Sequence, residues 1–309
     1  MPTPKSVWID TDVAIGTSTP RGYNDVDDAF ALLDLFAAPE AVQIRGISVV
    51  YGNTTLPNAL QLGQEISERF GEGWPVAAGA SAPLNLREAQ PTEATEAMAR
   101  ALREAPMHIL AVGPATNVGT LLLREPQLAG KILSVTLVAG RRGPDQHFKV
   151  GPHHHPPFPD LNFDLDPLAF QIMLEKGVPL NLAPFEVSHK VWIDSGDLDR
   201  LARLNEAGAY LATHSRAWLA QWQPFGATGF NPFDVLASSW FIDPRGFKAE
   251  RLPVQFCYHR DDTRPDQPDA YKPYLVVDRR FRAAPKVLYI HTPPPDFKAR
   301  LWARLARLS

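Results

Sequence analysis

The chain is predicted to adopt an α/β fold: a single domain with a mostly parallel central β-sheet flanked by helices, and an active site at the C-terminal ends of the strands. Three observations lead there. Short continuous apolar runs alternate with amphipathic helical patterns over the first two-thirds, as expected of strands covered on both faces by crossover helices. Polar residues recur where those runs end, which is where open parallel sheets bind ligands. The composition, 45% hydrophobic and 21% charged over 309 residues, is that of a soluble globular chain.

The elements follow in order. "SVWID" is the first strand. "NDVDDAFALLDLFAA" is a helix with Asn24 or Asp25 at its N-cap and Val26, Phe30, Leu33 and Phe36 on its apolar face. "VQIRGISVV" is a strand and "LPNALQLGQEISERF" a helix. "MHILAV" is a strand, and "TNVGTLLLR" opens a helix after "GPA". "ILSVTLVAG", "DPLAFQIMLEKG" and "PLNLAP" read as strand, helix, strand. From about Asp194 to Gln223 the pattern is helical, and "PFDVLASSWFI" is a further helix. "LPVQFCY", "YLVVD" and "KVLYIH" are strand-like, with a terminal helix after them and an exposed polar loop at 259–270. Many of the 30 prolines lie between elements, which suits a loop-rich enzyme rather than a helical bundle.

Several function classes are disfavoured. A net charge of -3 with scattered Lys and Arg argues against nucleic acid as a partner. The single Cys257 leaves neither a disulfide framework nor a Cys-based zinc site. No apolar run approaches the length of a membrane span and no apolar leader precedes the first strand, so the expectation is a cytoplasmic protein with no membrane partner.

The stretch "IDTDVAIGTSTPRGYNDVDDAF" brings Asp10, Asp12, Asp25, Asp27 and Asp28 close together. Like charges repel, and packing alone does not favour them. Asp25 and Asp27 suit a helix first turn or cap, but that leaves the Asp10/Asp12 pair on the preceding strand end. A hard divalent cation such as calcium, which takes oxygen ligands, accounts for both groups. Other strand ends supply Asn53 in "YGNTT", Thr116 and Asn117 in "GPATN", "RRGP", and Glu186.

These residues resemble the nucleoside hydrolases, the inosine–uridine-preferring N-ribohydrolases. That family opens with a strand followed by Asp-x-Asp-Pro-Gly-x-Asp-Asp; the pieces here are "DTD" and "DVDDAFAL". Matches follow in the same order in "GISVVYGNTTLPNA", "HILAVGPATNVGTLL", "DLNFDLDPLAF", "PLNLAPFEVSHKV" and "NPFDVLASSWFIDP", covering roughly 7–245. The resemblance implies calcium-dependent hydrolysis of the N-glycosidic bond of a ribonucleoside or related ribosyl compound. It implies a calcium ion ligated by Asp12, Asp28, the Thr116 backbone carbonyl and Asp234, with Asp12 also the general base toward the attacking water. Asp27 and Asn53 would hold ribose hydroxyls, Asp160 and Asn162 the hydroxyls at the far side of the sugar, and Asp10 would support the site. The family also implies a dimer or tetramer, and helices over about 194–230 that cap the pocket. A haloacid-dehalogenase-like phosphatase also has Asp-x-Asp at a strand end, but position 14 here is Ala and the later matches have no place in that reading.

Departures from the family concern the leaving group. The insert "IGTSTPRGYN" is expected to loop out beside the metal and to cover the pocket mouth. The family's His before the last metal Asp is Phe233, which cannot protonate a leaving base. Trp218 and Trp222, spaced i,i+4, are candidates for stacking on that base. The family's Glu of Glu-Phe-Asn is Asp160, and "KVGPHHHPPF" precedes it, placing His154 as a candidate substrate contact or substitute acid. Three adjacent His on an extended loop diverge, which disfavours zinc there, and His189 reads as structural. Phe233 also motivates an alternative: a sugar- or nucleoside-binding protein that turns its ligand over weakly or acts on a different carbohydrate.

Overall fold

Val7 and Ile9 point to one face of β1 (Lys5–Thr11) and Trp8 to the other, and all three are buried. This is the central strand in the computed structural model, which describes residues 3–20, 22–87 and 89–308. A small hairpin, β2 (Ser18–Thr19) and β3 (Gly22–Tyr23), leads to α1 (Asp27–Phe36). Crossover units follow: β4 (Val42–Val49), α2 (Leu56–Phe70), β5 (Val76–Ala78), α3 (Glu93–Glu104), β6 (Met107–Ala111), α4 (Thr116–Arg124) and β7 (Ile132–Leu137). Then come α5 (Leu161–Leu165), α6 (Pro167–Glu175), β8 (Leu180–Leu182) and α7 (Phe185–Ser188). The helical stretch α8 (Ser195–Leu201), α9 (Glu206–Trp222) and α10 (Phe233–Ile242) precedes β9 (Lys248–Arg260), β10 (Tyr271–Val277), β11 (Lys286–Thr292) and α11 (Phe297–Leu305).

The strands form a nine-stranded sheet in the order β10-β9-β11-β8-β7-β6-β1-β4-β5. It is parallel from β5 across to β11, and β9 and β10 close the far edge in antiparallel pairing. From β1 the chain moves outward to β4 and later returns to β6 on the other flank. The strand order therefore reverses beside β1, and the crevice beyond that reversal is where such sheets hold ligands. Each face has its own core. Val7 and Ile9 join α1, α2, α9, α10 and α11, whereas Trp8 joins α3, α4 and α6.

The structure differs from the sequence expectation in several places. α1 starts at Asp27 with Val26 at its N-cap and no side-chain cap, because Asp25 and Asn24 bond within the preceding loop instead. The helical run from 194 is two helices. Asp194 and Asp197 form a capping box at α8, and Asn205 accepts the Gly208 N–H at 2.8 Å to start α9 afresh. β5 and α3 are absent from the sequence expectation, although Ala94, Met98, Ala99 and Leu102 give α3 a buried face and Thr92 caps it.

Candidate active site

The ends of β1, β4 and β6 meet around Asp12. Beyond β4 the chain turns through Gly52 so tightly that a Cβ there would lie 2.1 Å from Asp12 Oδ2, and its φ of +154° suits glycine. The turn delivers the Asn53 N–H to Asp12 Oδ2 at 2.5 Å. The Asn53 side chain reaches Asp28 Oδ2 at 3.5 Å and accepts the Asp25 N–H at 3.1 Å. Thr11 Oγ1 donates to Asp28 Oδ1, and the Asp234 N–H donates to Asp27 Oδ2 at 2.9 Å. Asp10 lies below this layer, where its Oδ1 accepts from Ser48 Oγ at 2.5 Å and Asn117 Nδ2 at 2.8 Å.

Carboxylates crowded in this way resist ionisation. Burial pushes Asp27 up to about 7, with the charge of Asp28 adding to it. Burial and then neighbouring Asp charges raise Asp12, Asp25 and Asp234, and burial raises Asp28. Burial alone takes Asp10 to about 6 against its two hydrogen bonds. Carboxylate oxygens of Asp27, Asp28 and Asp234 lie within 4.8 Å of one another, and Asp12 adjoins Asp28. Among the described residues, no Lys or Arg lines the cavity to neutralise them. This all-oxygen, anionic donor set fits a hard divalent cation.

Above the acids lies a cavity of about 280 Å³, of a size for a small glycoside. Asp12, Asp25, Asp27, Asp28, Asn53 and Asp234 form its floor, and Asp160 and Asn162 one side. Asp160 accepts the Gly140 N–H at 2.7 Å, and burial raises it to about 6 although Arg141 acts against this. The Asn162 amide nitrogen donates to Val112 O at 2.6 Å and Val138 O at 3.2 Å, which leaves its carbonyl oxygen for the cavity. Phe148, Phe158, Phe185, Phe233, Trp218 and Trp222 make the remaining wall.

Most of the residues singled out in the sequence therefore share one cavity. Thr116 and Asp10 do not line it; the Thr116 hydroxyl donates to Asp166 Oδ2 at 2.5 Å. His154 does not line it either; its ring lies against Phe158, Trp222 and Phe225. In the insert, Ile15 is buried, as are Val13 and Ala14 just before it, and the β2–β3 hairpin lies on α9, while Arg21 is outside the described residues. Tyr23 N–H donates to Gln221 Oε1 at 2.9 Å and Gln221 Nε2 to Tyr23 O at 3.3 Å. The insert thus braces the helix that carries Trp218 and Trp222, and none of its described residues lines the cavity, although Asp25 directly after it does. Sequence reasoning missed Asp25 as a lining residue, along with Phe148, Phe158 and Phe185. Phe185 opens α7 three residues past the end of β8, so the strand-end rule that found Asn53 reaches it as well.

The profile of the family described as inosine-uridine preferring nucleoside hydrolase matches residues 7–275. The chain belongs to this nucleoside hydrolase family. It is accordingly an enzyme of the N-glycosyl hydrolase class, and the phosphatase reading of Asp-x-Asp falls away. Among curated nucleoside hydrolases, the pyrimidine-specific ribonucleoside hydrolase RihA of Salmonella agona is 27% identical over 254 residues, covering 72% of this chain and 78% of that relative. The protein of the same name from Photobacterium profundum is 26% identical over 252 residues, with 72% and 78% covered. Among solved structures, a plant nucleoside hydrolase superposes with a TM-score of 0.78 at 20% identity, covering 98% of this chain and 99% of that one. A purine-preferring ribonucleoside hydrolase from Gardnerella vaginalis gives 0.76 at 17% identity, with 98% of each chain covered. The two solved structures attest the nucleoside hydrolase fold, a mostly parallel sheet flanked by helices. Among the described residues, no helix is long and apolar enough to cross a membrane.

Proposed function

We propose that the protein hydrolyses the N-glycosidic bond of a ribonucleoside or related ribosyl compound and that it uses calcium to do so. The observation that carries this reading is the grouping of Asp27, Asp28 and Asp234 beside Asp12 on the floor of a cavity with an aromatic opposite wall. Asp12, Asp28, Asp234 and the Thr116 backbone carbonyl would hold the ion. When bound, calcium orients water and vicinal hydroxyls and makes that water more acidic.

The chain's own residues do the rest. Asp27 and Asn53 fix the ribose diol, while Asp160 and the Asn162 carbonyl oxygen hold the far side of the sugar. Cleavage proceeds with positive charge growing on the sugar ring, as in glycoside hydrolysis generally. Carboxylates on the cavity floor stabilise that charge without having to reorganise. Asp12, fixed by the Asn53 N–H, accepts the proton of the attacking water. The α9 tryptophans and the phenylalanines exclude bulk water and stack on the base.

Ribose release from a panel of ribonucleosides with calcium present tests the reading. Release that disappears in Asp12→Asn supports it. Tight ribose binding with no release from any member would instead favour the weak-turnover binder that Phe233 raises.

A further inference from the structure

The two ends of the cavity tolerate opposite charges. Asp12, Asp27, Asp28 and Asp234 gather at the sugar end, and the other end is aromatic. Among the described residues, every titratable side chain that lines the cavity is an Asp. Of these, Asp25 is engaged with Val26 N–H and Asp27, and Asp160 with Gly140 N–H. The two histidines near the wall touch its rings and do not themselves line the cavity. His154 has its ring centroid 5.4 Å from Trp222 and 5.1 Å from Phe225. His189 stacks on Phe185 at 5.3 Å, with Nδ1 2.9 Å from the Phe185 carbonyl oxygen. Apart from these Asp carboxyls, none of which the hydrolase reading places at the base, no side chain among the described residues that lines the cavity can protonate a leaving group.

That arrangement selects among substrates. A neutral base that leaves without a proton departs as an anion. Here the anion would form against aromatic faces, which are the negative side of the ring quadrupole, above a floor of carboxylates. A heterocycle that already carries a fixed positive charge meets the reverse situation. Bound, its cation rests on the faces of Phe158, Phe185, Phe233, Trp218 or Trp222. As the C1′–N bond breaks, its electron pair stays on the ring nitrogen and the heterocycle becomes neutral, which suits an apolar wall. The positive charge passes to the sugar ring, over the carboxylates. Water supplies the oxygen that bonds C1′, and its proton leaves through Asp12. Cationic N-riboside and water give ribose, neutral heterocycle and one proton, with no acid needed at the base.

We propose, resting on the hydrolase reading above, that this cavity is built for N-ribosides whose leaving group is a cationic aromatic heterocycle: a pyridinium or an N-alkylated purine. Phe233, which removes the acid the family places there, is then matched to the substrate and is not a defect.

The test uses the calcium-loaded protein and matched substrates. Nicotinamide riboside and 7-methylguanosine are the cationic probes, guanosine and uridine the neutral ones, and p-nitrophenyl riboside is a neutral glycoside that needs no acid. Each kcat/KM is divided by the uncatalysed rate of the same compound. The corrected ratio of 7-methylguanosine to guanosine is expected to exceed about tenfold. Phe233→Leu and Trp222→Leu, which keep apolar bulk and lose the ring face, are expected to lower that ratio several-fold. A corrected ratio at or below unity, or one that neither leucine variant changes, overturns the proposal even though p-nitrophenyl riboside is cleaved and the hydrolase reading stands. No release from any compound, p-nitrophenyl riboside included, overturns the hydrolase reading and this proposal with it.

Discussion

The backbone N–H of Asp234, in the first turn of α10, donates to Oδ2 of Asp27, in the first turn of α1, at 2.9 Å. Two helix N-termini, 207 positions apart in sequence, thereby meet at the cavity floor. Both present positive dipole ends to the acids there, which offsets part of their repulsion. Asp27→Ala breaks this junction and removes the proposed ligand of the ribose diol. It is expected to lower kcat/KM by about 10²–10³-fold, the scale of losing one electrostatic contact at a reacting centre. Steady-state kinetics, with circular dichroism to confirm folding, checks this; a loss below about threefold would remove Asp27 from the site.

The raised carboxyls fix how stability changes with pH. A carboxyl whose folded pKa lies above its unfolded value contributes stability in full below the unfolded value, near ~4, and loses it as pH rises through the folded one. Burial, chiefly, takes Asp27 to about 7 and Asp10 and Asp160 to about 6. The metal-free protein is thus expected to lose stability between about pH 4 and about pH 7. Calcium at the proposed site would compete with those protons, so its stabilisation is expected to grow over the same interval. Thermal unfolding with chelator and with calcium, at about pH 5 and about pH 7.5, reads both effects. The Tm gap should be wider at the higher pH; an equal gap at both would contradict the cluster as the calcium site.

Gly52→Ala tests the floor without replacing a charged group. The new Cβ lies 2.1 Å from Asp12 Oδ2, so either the turn or the carboxylate must shift. A displacement of this order at a reacting group costs about 10²-fold in rate. The expected signature is a fall in kcat far out of proportion to the change in Tm. Wild-type kcat in this variant would mean that Asp12 does not have to be held where it is.

Away from the cavity, Arg304 secures the C-terminal helix. Its Nε donates to Asp34 Oδ1 at 2.5 Å and its Nη2 to Asp34 Oδ2 at 3.1 Å, and Ser238 and Ser239 complete the buried set. Arg304→Met leaves the Asp34 charge buried and unpaired, a loss of about 3–5 kcal/mol. Urea unfolding should show a lower midpoint, with kcat at the assay temperature little changed. An unaltered midpoint would mean that the ion pair adds nothing to stability.

The parallel sheet and the acid floor were legible in the sequence for local reasons. "SVWID" and "MHILAV" are short, largely apolar runs and "VQIRGISVV" closes in one; Asp12 stands two residues past "SVWID" and Asn53 three past "VQIRGISVV". The aromatic wall was less legible because Phe148 and Phe158 sit on a loop with no periodicity, and a loop conveys nothing about which way a ring turns. Asp25 looked like a cap from its position before a helix. Its place on the floor depends on the hydrogen bond from its N–H to Asn53 Oδ1 at 3.1 Å, a tertiary contact. The insert was expected at the pocket mouth; Gln221, 198 positions from Tyr23, draws its hairpin onto α9 instead. His154 stood at the right place in the motif, but it packs on Phe158 and Trp222 and does not itself line the cavity.

The central claim is metal-dependent cleavage of an N-riboside at the Asp12–Asp28–Asp234 floor. Ribose release from the substrate panel, measured after thorough chelation and again after calcium is restored, tests it most directly, with Asp12→Asn run alongside. The account predicts release that falls to background on chelation, returns with calcium, and is reduced by about 10²–10⁴-fold in calcium-loaded Asp12→Asn. Release that persists undiminished through chelation, or a fully active Asp12→Asn, would contradict it.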